Sequence, residues 1–179
     1  MGKISVDAFL REYKVAAKQK DSVVEDFVKK HITTKYIGFL TKSAYCTSIV
    51  KASTHIKDGD REIIKINSDS RYLFFVMRLI QLYTDIEFKN EDTVSVYDKL
   101  NEVGAINELI AAIPEAEYSE FSTLLNMKMD DFRENEYSLT ALAYNLKESF
   151  SLSEELIGEV LNSPEVQAKI EEIKKADIS

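Results

Sequence analysis

The side chains that most often carry chemistry are sparse in this sequence. It contains two histidines, His31 and His55, and one cysteine, Cys46. Zinc ligands usually come in pairs spaced roughly two to four residues apart, and these three residues form no such pair. There is no Gly-x-Ser-x-Gly motif, and the glycines are too widely spaced for a phosphate-binding loop. We therefore predict no catalytic residues, no metal site and no cofactor, and we expect Cys46 to be a small core residue.

Carboxylates are abundant, and their spacing indicates a charged surface. Pro114 fits the first turn of a helix, where a missing N–H costs little, so we predict a helix over residues 114–135. We expect these carboxylates to lie at exposed positions on a charged solvent face of this helix: Glu115, Glu117, Glu120, Asp130, Asp131, Glu134 and Glu136. Such a face explains these residues without an acid–base pair.

Residues 69–85 form the predicted centre of the fold. Wound as a helix, this stretch is apolar nearly all round, which is typical of a helix enclosed by others. It is shorter than the ~20 apolar residues that cross a membrane, and Arg78 and Gln81 interrupt it. Helical periodicity continues along a chain that has only five Gly and two Pro. We predict a mainly α fold, a compact helical bundle around this buried central helix.

The ends and partners of other elements can also be predicted. Ser5 is a good N-cap for the first helix, and Gly104 fits the left-handed position that ends a helix. We expect a helix over residues 41–53 to bury Ala44, Tyr45, Ile49 and Val50. Residues 62–66 and 86–88 are candidates to pair with each other as a minor two-stranded β element.

The central helix also carries a polar stripe. At spacings of seven, three and four residues, one side of it carries Arg71, Arg78, Gln81 and Asp85. An unpaired buried charge is very costly, so the charged members are either paired or reach solvent. Arg71 and Arg78 could form ion pairs with the acidic C-terminal half of the chain, or bind the carboxylates of a partner.

The net charge of −8 is unevenly distributed. Residues 1–90 contain 16 Lys and Arg against 11 Asp and Glu, whereas residues 91–179 contain 7 against 20. The acidic total argues against direct binding to nucleic acid, which requires Lys and Arg to displace counterions. The asymmetry has two interpretations: solvated faces on a chain whose halves fold together, or attraction between opposite ends of neighbouring copies in rings or stacks.

We predict a helical domain over residues 1–150 and a C-terminal helical arm over residues 151–179. Besides Arg71 and Arg78, the residues that we assign to partner binding lie in this arm: Leu156, Val160, Val166, Ile170 and Ile173. The arm could pack on its own domain or dock on a neighbouring copy. A single cysteine and the lack of an opening signal sequence favour the cytoplasm, with no membrane contact.

Three stretches resemble a known group of proteins. They are Asp26-Phe-Val-Lys-Lys-His-Ile-Thr-Thr-Lys-Tyr36, then Tyr72-Leu-Phe-Phe-Val with Tyr83-Thr-Asp-Ile-Glu87, and last Ile113-Pro-Glu-Ala-Glu-Tyr-Ser-Glu-Phe121 with Met129-Asp-Asp-Phe-Arg-Glu-Asn-Glu136. Over about residues 20–145, the chain resembles small, acidic, helical proteins encoded among the virion structure and assembly genes of tailed bacteriophages of Gram-positive hosts. The resemblance carries no catalytic motif. It implies a role in head, neck or tail morphogenesis, in the host cytoplasm during assembly or in the virion.

The sequence therefore predicts a non-enzymatic protein that acts by protein–protein contact and self-association. Its expected partners are other copies of itself or phage structural proteins. Two other classes stay open. An acidic regulator that inhibits a host protein by mimicking nucleic acid would gather the carboxylates of residues 115–136 into one patch. An enzyme of unrecognised type would need a concave pocket that joins His31 or His55 to carboxylates.

Overall fold

The computed structural model describes residues 2–58, 61–88 and 91–135, together with residues 138, 142, 158, 161–164, 166–168 and 170. Within these residues the chain is mainly α-helical, which confirms the predicted fold class. The helices are α1 (Val6–Ala16), α2 (Asp21–His31), α3 (Phe39–Thr54), α4 (Ser68–Tyr83), α5 (Thr93–Glu102), α6 (Ala105–Ala112) and α7 (Glu115–Asn135). The strands are β1 (Ile4–Ser5), β2 (His55–Asp58), β3 (Arg61–Ile64) and β4 (Ile86–Glu87).

Helix α4 is the central helix that the sequence predicts. It packs against α3, α5, α6 and β4, and it buries Phe75, Val76, Met77, Leu79, Ile80 and Tyr83. The Asn67 side chain caps its first turn by accepting a hydrogen bond from the Ser70 N–H at 3.0 Å. Tyr72, near the start of the helix, is 55% exposed, and the buried side chains lie from Phe75 onward.

Two other predicted helix ends are confirmed. Ser5 caps α1 by accepting a hydrogen bond from the Ala8 N–H at 3.3 Å. Gly104 lies between α5 and α6 with a φ of 76°, a backbone conformation that favours glycine because it lacks a Cβ. The sequence could predict both helix ends because each depends only on residues within one helical turn.

The β structure differs from the prediction in its pairing. β3 pairs antiparallel with β2, its neighbour in sequence, and β4 pairs parallel with β1 at the start of the chain. The predicted pairing of residues 62–66 with residues 86–88 is therefore wrong. A hairpin between adjacent strands closes the shorter loop and so costs less chain entropy. β1 reaches β4 because it leads directly into α1, which also contacts β4.

A hydrophobic core cluster joins the N-terminal helices to α4, α5 and α6. Its buried side chains are Val6, Phe9, Leu10, Tyr13, Val28, Val76, Met77, Ile80, Ile86, Val96, Leu100, Ala105, Ile106 and Leu109. None of the described helices is long and apolar enough to cross a bilayer.

The chain forms two compact units, Met1–Met129 and Asp130–Ser179. The division that the sequence predicts, a domain over residues 1–150 and an arm over residues 151–179, stays a prediction. Within the second unit, Val166 donates its N–H to Ser163 Oγ at 3.4 Å, which is the capping contact expected where the last predicted helix begins.

Candidate functional site

A buried lysine lies at the centre of an unusual polar network. Lys42, in the first turn of α3, is completely buried, and its Nζ donates to Glu117 Oε1 at 2.9 Å and to Glu120. The second oxygen of Glu117 accepts from the Tyr83 hydroxyl at 2.7 Å and from the Ile37 N–H at 2.9 Å. We call these four side chains and this N–H the Lys42 network. It joins α3, α4, α7 and the segment before α3.

The pKa values show how the network holds its charges. Burial alone would lower the pKa of Lys42, but the hydrogen bonds to Glu120 and Glu117 and their charges outweigh it and raise the pKa above its ordinary value. Burial would raise the pKa of Glu117, yet hydrogen bonds from Tyr83, Lys42 and Ile37 hold it below its usual range. Tyr83 has a raised pKa because of its burial and its bond to Glu117. Lys42 and Glu117 are therefore both charged at neutral pH.

Three large apolar side chains lie exposed directly beside this network. Tyr36 is 69% exposed, Phe39 54% and Leu40 80%, and all three fall within five consecutive residues. The Lys42 Nζ lies 5.3 Å from the centroid of the Tyr36 ring, so the buried ammonium group makes a cation–π contact with this exposed ring. We call Tyr36, Phe39 and Leu40 the apolar patch. Clustered exposed apolar side chains commonly mark binding surfaces.

The sequence analysis missed the Lys42 network. We predicted that α3 would begin at Thr41 and bury Ala44 and Tyr45, but it begins at Phe39, Ala44 is exposed and Tyr45 is half-buried. The prediction that the face of α7 exposes its carboxylates is wrong for Glu117, which is buried. A usable signal was present: Lys42, Cys46, Ile49, Val50 and Ser53 share one helical face, and all are buried.

Cys46 lies one turn beyond Lys42 and is also completely buried, as a core residue should be. Its Sγ lies 3.7 Å from the Phe121 carbonyl oxygen, and burial raises the pKa of the thiol to about 11. A thiol with so high a pKa is a poor nucleophile at neutral pH. The interpretation of Cys46 as a small core residue is therefore confirmed.

The two arginines predicted to bind a partner, Arg71 and Arg78, lie on α4. Arg78 donates to Gln81 Oε1 at 3.0 Å, and its guanidinium lies 4.8 Å from the centroid of the Tyr45 ring. Arg71 is half-buried in the first turn. Among the described residues, neither arginine forms an ion pair with the acidic half of the chain. Their role in partner binding stays a prediction.

The arm residues predicted to bind a partner are only partly described. Val166 and Ile170 are half-buried. Leu156, Val160 and Ile173 lie outside the described residues. The choice between an arm packed on its own domain and an exchanged arm stays open.

One histidine pairs with a carboxylate inside the first unit. His31 Nδ1 lies 2.8 Å from Asp85 Oδ1, and the ring packs against Phe9 and Phe27 at centroid distances of 5.1 Å and 4.7 Å. A groove of about 560 Å³ is lined by Asp85 and neighbouring Lys and Thr residues. His31 is not among the residues that line this groove. The contact between His31 and Asp85 joins the end of α2 to the end of α4.

Among the described residues, no three His, Cys, Asp or Glu side chains converge as metal ligands would. Comparison with known proteins identifies no relative: no family model, no curated protein and no solved structure matches this chain.

Proposed function

We propose that this protein is a non-enzymatic component of tailed-phage assembly, either a virion protein or an assembly chaperone, and that it acts by protein–protein contact through the apolar patch. The observation that carries the proposal is the exposure of Tyr36, Phe39 and Leu40 next to the buried Lys42 network. Exposing three such side chains together leaves apolar area in water that a partner could cover.

The Lys42 network holds the backbone beside the apolar patch in place, as a binding surface requires. Glu117 accepts hydrogen bonds from the Ile37 N–H and from Lys42, so the chain is anchored at the residue after Tyr36 and again just after Phe39 and Leu40. Fixing the segment before association reduces the entropy that binding must otherwise lose. Aromatic side chains on such a support are the residue types that most often dominate interface energies.

The phage assignment is supported by the three stretches that resemble phage assembly proteins. All three contribute to the site: the first ends at Tyr36, the second contains Tyr83, and the third contains Glu117 and Glu120. The expected partners are phage structural proteins or further copies of this chain. The head, neck or tail of the particle is the proposed place of action.

The acidic-mimic alternative is weakened by how the α7 carboxylates are used. Glu117 and Glu120 bind Lys42, and Asp130 binds Arg133 Nη1 at 3.3 Å. These three carboxylates therefore have cationic partners within the chain. A mimic of nucleic acid would need its carboxylates unpaired and gathered in one patch.

The proposal can be tested by mutating the patch in the phage that encodes this chain. We expect Leu40→Asp to lower the yield of infectious particles by at least about tenfold, because it places a charge at the centre of the contact. Val94→Asp is the matched control, since Val94 is 50% exposed and lies in the first turn of α5. There an added carboxylate is tolerated by the helix dipole.

Both variants must first show the wild-type circular dichroism and unfolding midpoint. Unchanged yield with a folded Leu40→Asp protein would overturn the proposal. A tenfold loss from Val94→Asp as well would show that the effect does not depend on the patch.

A further inference from the structure

We infer that the occupant of the apolar patch is the same patch on a second copy of this chain, related by a two-fold axis, with Lys35 of each copy facing Glu120 of the other. The inference rests on the proposed function, because it names a partner for the same surface. It is carried by the charges at the edge of the patch and by the area that the patch exposes.

The charges at the edge of the patch are of both signs. Lys35 precedes Tyr36 directly and is exposed. Glu120 contacts the Lys42 Nζ, which lies 5.3 Å from the centroid of the Tyr36 ring, and the Glu120 side chain remains 44% exposed. Residues 27–57 contain no Asp or Glu, so the acid beside the patch comes from α7. Because the single charge of Lys42 is shared by Glu117 and Glu120, a net negative charge remains there, and charges of both signs, Lys35 and Glu120, lie beside the patch.

A two-fold axis can bring the positive part of this edge on one copy against the negative part of the same edge on the other copy. In an isologous interface each residue meets a different residue of the same surface, and the contact is made twice. Lys35 then meets Glu120 in both directions while the apolar side chains pack at the centre. An edge of a single sign would instead repel its own copy, and it would fit a partner of opposite charge.

The exposed area sets the strength that we expect. Taking about 200 Å² for each of the two aromatic side chains and for Leu40, the three residues expose roughly 400 Å² per copy at the fractions given above. Two copies would bury about 800 Å² there, well below the ~1,600 Å² of a standard stable interface. The pairing is therefore expected to be weak and concentration-dependent, and strengthened where many copies gather in an assembling particle.

Disulfide trapping tests the pairing directly. Leu40 is the most exposed member of the patch, so its substitution Leu40→Cys should place two thiols near the axis. We expect oxidation to give a covalent dimer at least about tenfold faster for Leu40→Cys than for the matched control Val94→Cys. The wild-type chain serves as the blank, since its single cysteine, Cys46, is buried. Equal trapping of the two variants would overturn the pairing.

The charge contact has its own test in sedimentation velocity. We expect Lys35→Glu to raise the dimer dissociation constant by about tenfold, because it places a second carboxylate against Glu120 of the other copy. Adding salt, from about 50 mM to about 500 mM, should then tighten this variant and weaken the wild type. Lys18→Glu makes the same change of net charge at another exposed position and should leave the dimer unchanged.

The two proposals fail differently. A wild-type chain that stays monomeric, with no trapping at Leu40→Cys, overturns the pairing alone if Leu40→Asp still lowers particle yield, because the patch then meets another protein. Growth past the dimer into rings or stacks overturns the two-fold arrangement in favour of a head-to-tail one. If Leu40→Asp leaves both self-association and particle yield unchanged, both proposals are wrong.

Discussion

Two lysines in this chain make the same kind of contact in opposite surroundings. Lys42 joins α3 to Glu117 and Glu120 on α7, and its side chain is 0% exposed. Lys99 of α5 lies 3.3 Å from Asp7 and 2.8 Å from Glu91, and its side chain is 40% exposed. Each ammonium group thus binds two carboxylates, and each also contacts a carboxylate more than 70 residues away in sequence.

The two contacts differ in how well the carboxylates are solvated once the lysine is removed. Water can solvate Asp7 or Glu91 if Lys99 is lost, because these groups already touch solvent. Glu117 is only 6% exposed, so without Lys42 its charge stays in a medium that solvates it poorly. A lysine–carboxylate contact therefore adds little to the stability of the protein at the surface. Inside the fold, removing its lysine lowers the stability strongly.

Replacing the buried lysine should have the largest effect. We expect Lys42→Met to lower the free energy of unfolding by about 3–5 kcal/mol, because it leaves the Glu117 carboxylate buried without its cation. Methionine keeps most of the side-chain length, so the loss reports on charge more than on volume. Urea unfolding followed by circular dichroism measures the change.

The double variant Lys42→Met with Glu117→Gln is the control for this result. Glutamine can still accept from the Ile37 N–H and the Tyr83 hydroxyl but carries no charge, so we expect about half or more of the lost stability to return. If the double variant is less stable than Lys42→Met, volume or helix propensity controls the site, and the comparison drawn above is wrong.

The fold and the site differ in how far the sequence could predict them. The central helix α4, the Ser5 cap and the turn at Gly104 follow from patterns within a few residues, and all three are found. The burial of Lys42 depends on Glu117, which lies 75 residues later, and on a backbone N–H that no residue type reveals. The apolar face that Lys42 shares with Cys46 and Ile49 indicates that it is buried, but nothing close to it in sequence indicates which carboxylate pairs with it.

The strand pairings illustrate the same limit. Residues 62–64 and 86–87 do lie in strands, as their β-branched composition predicts. Their partners depend on loop length and on where α1 packs, which the strands themselves do not encode. The apolar patch was also missed, because exposure of Phe39 and Leu40 follows from where α3 begins.

Acid should cost the protein more stability through the buried network than through the exposed one. The pKa of Glu117 in the folded protein is held below its ordinary value of 4.5, so its contribution is complete above about pH 4.5. That contribution is lost as the pH falls through the folded value. We therefore expect the free energy of unfolding to fall more steeply between about pH 5 and about pH 2 in the wild type than in Glu117→Gln.

Glu91→Gln is the matched control for the acid experiment, since it removes one carboxylate from the Lys99 contacts instead. Its acid slope should stay close to that of the wild type. Equal slopes for the wild type and Glu117→Gln would mean that Glu117 titrates normally, and the Lys42 network would lose its electrostatic role.

The smallest effect is expected at Lys99, and it completes the comparison. Lys99→Met removes contacts to Asp7 and Glu91, but solvent and salt already screen them, so the unfolding midpoint should move by less than about a fifth of the shift in Lys42→Met. The small loss should shrink further as salt rises from about 50 mM to about 500 mM, whereas the loss in Lys42→Met should persist. A Lys99→Met protein as unstable as Lys42→Met would show that burial does not set the value of these contacts, because both lysines bind two carboxylates and differ chiefly in their access to water.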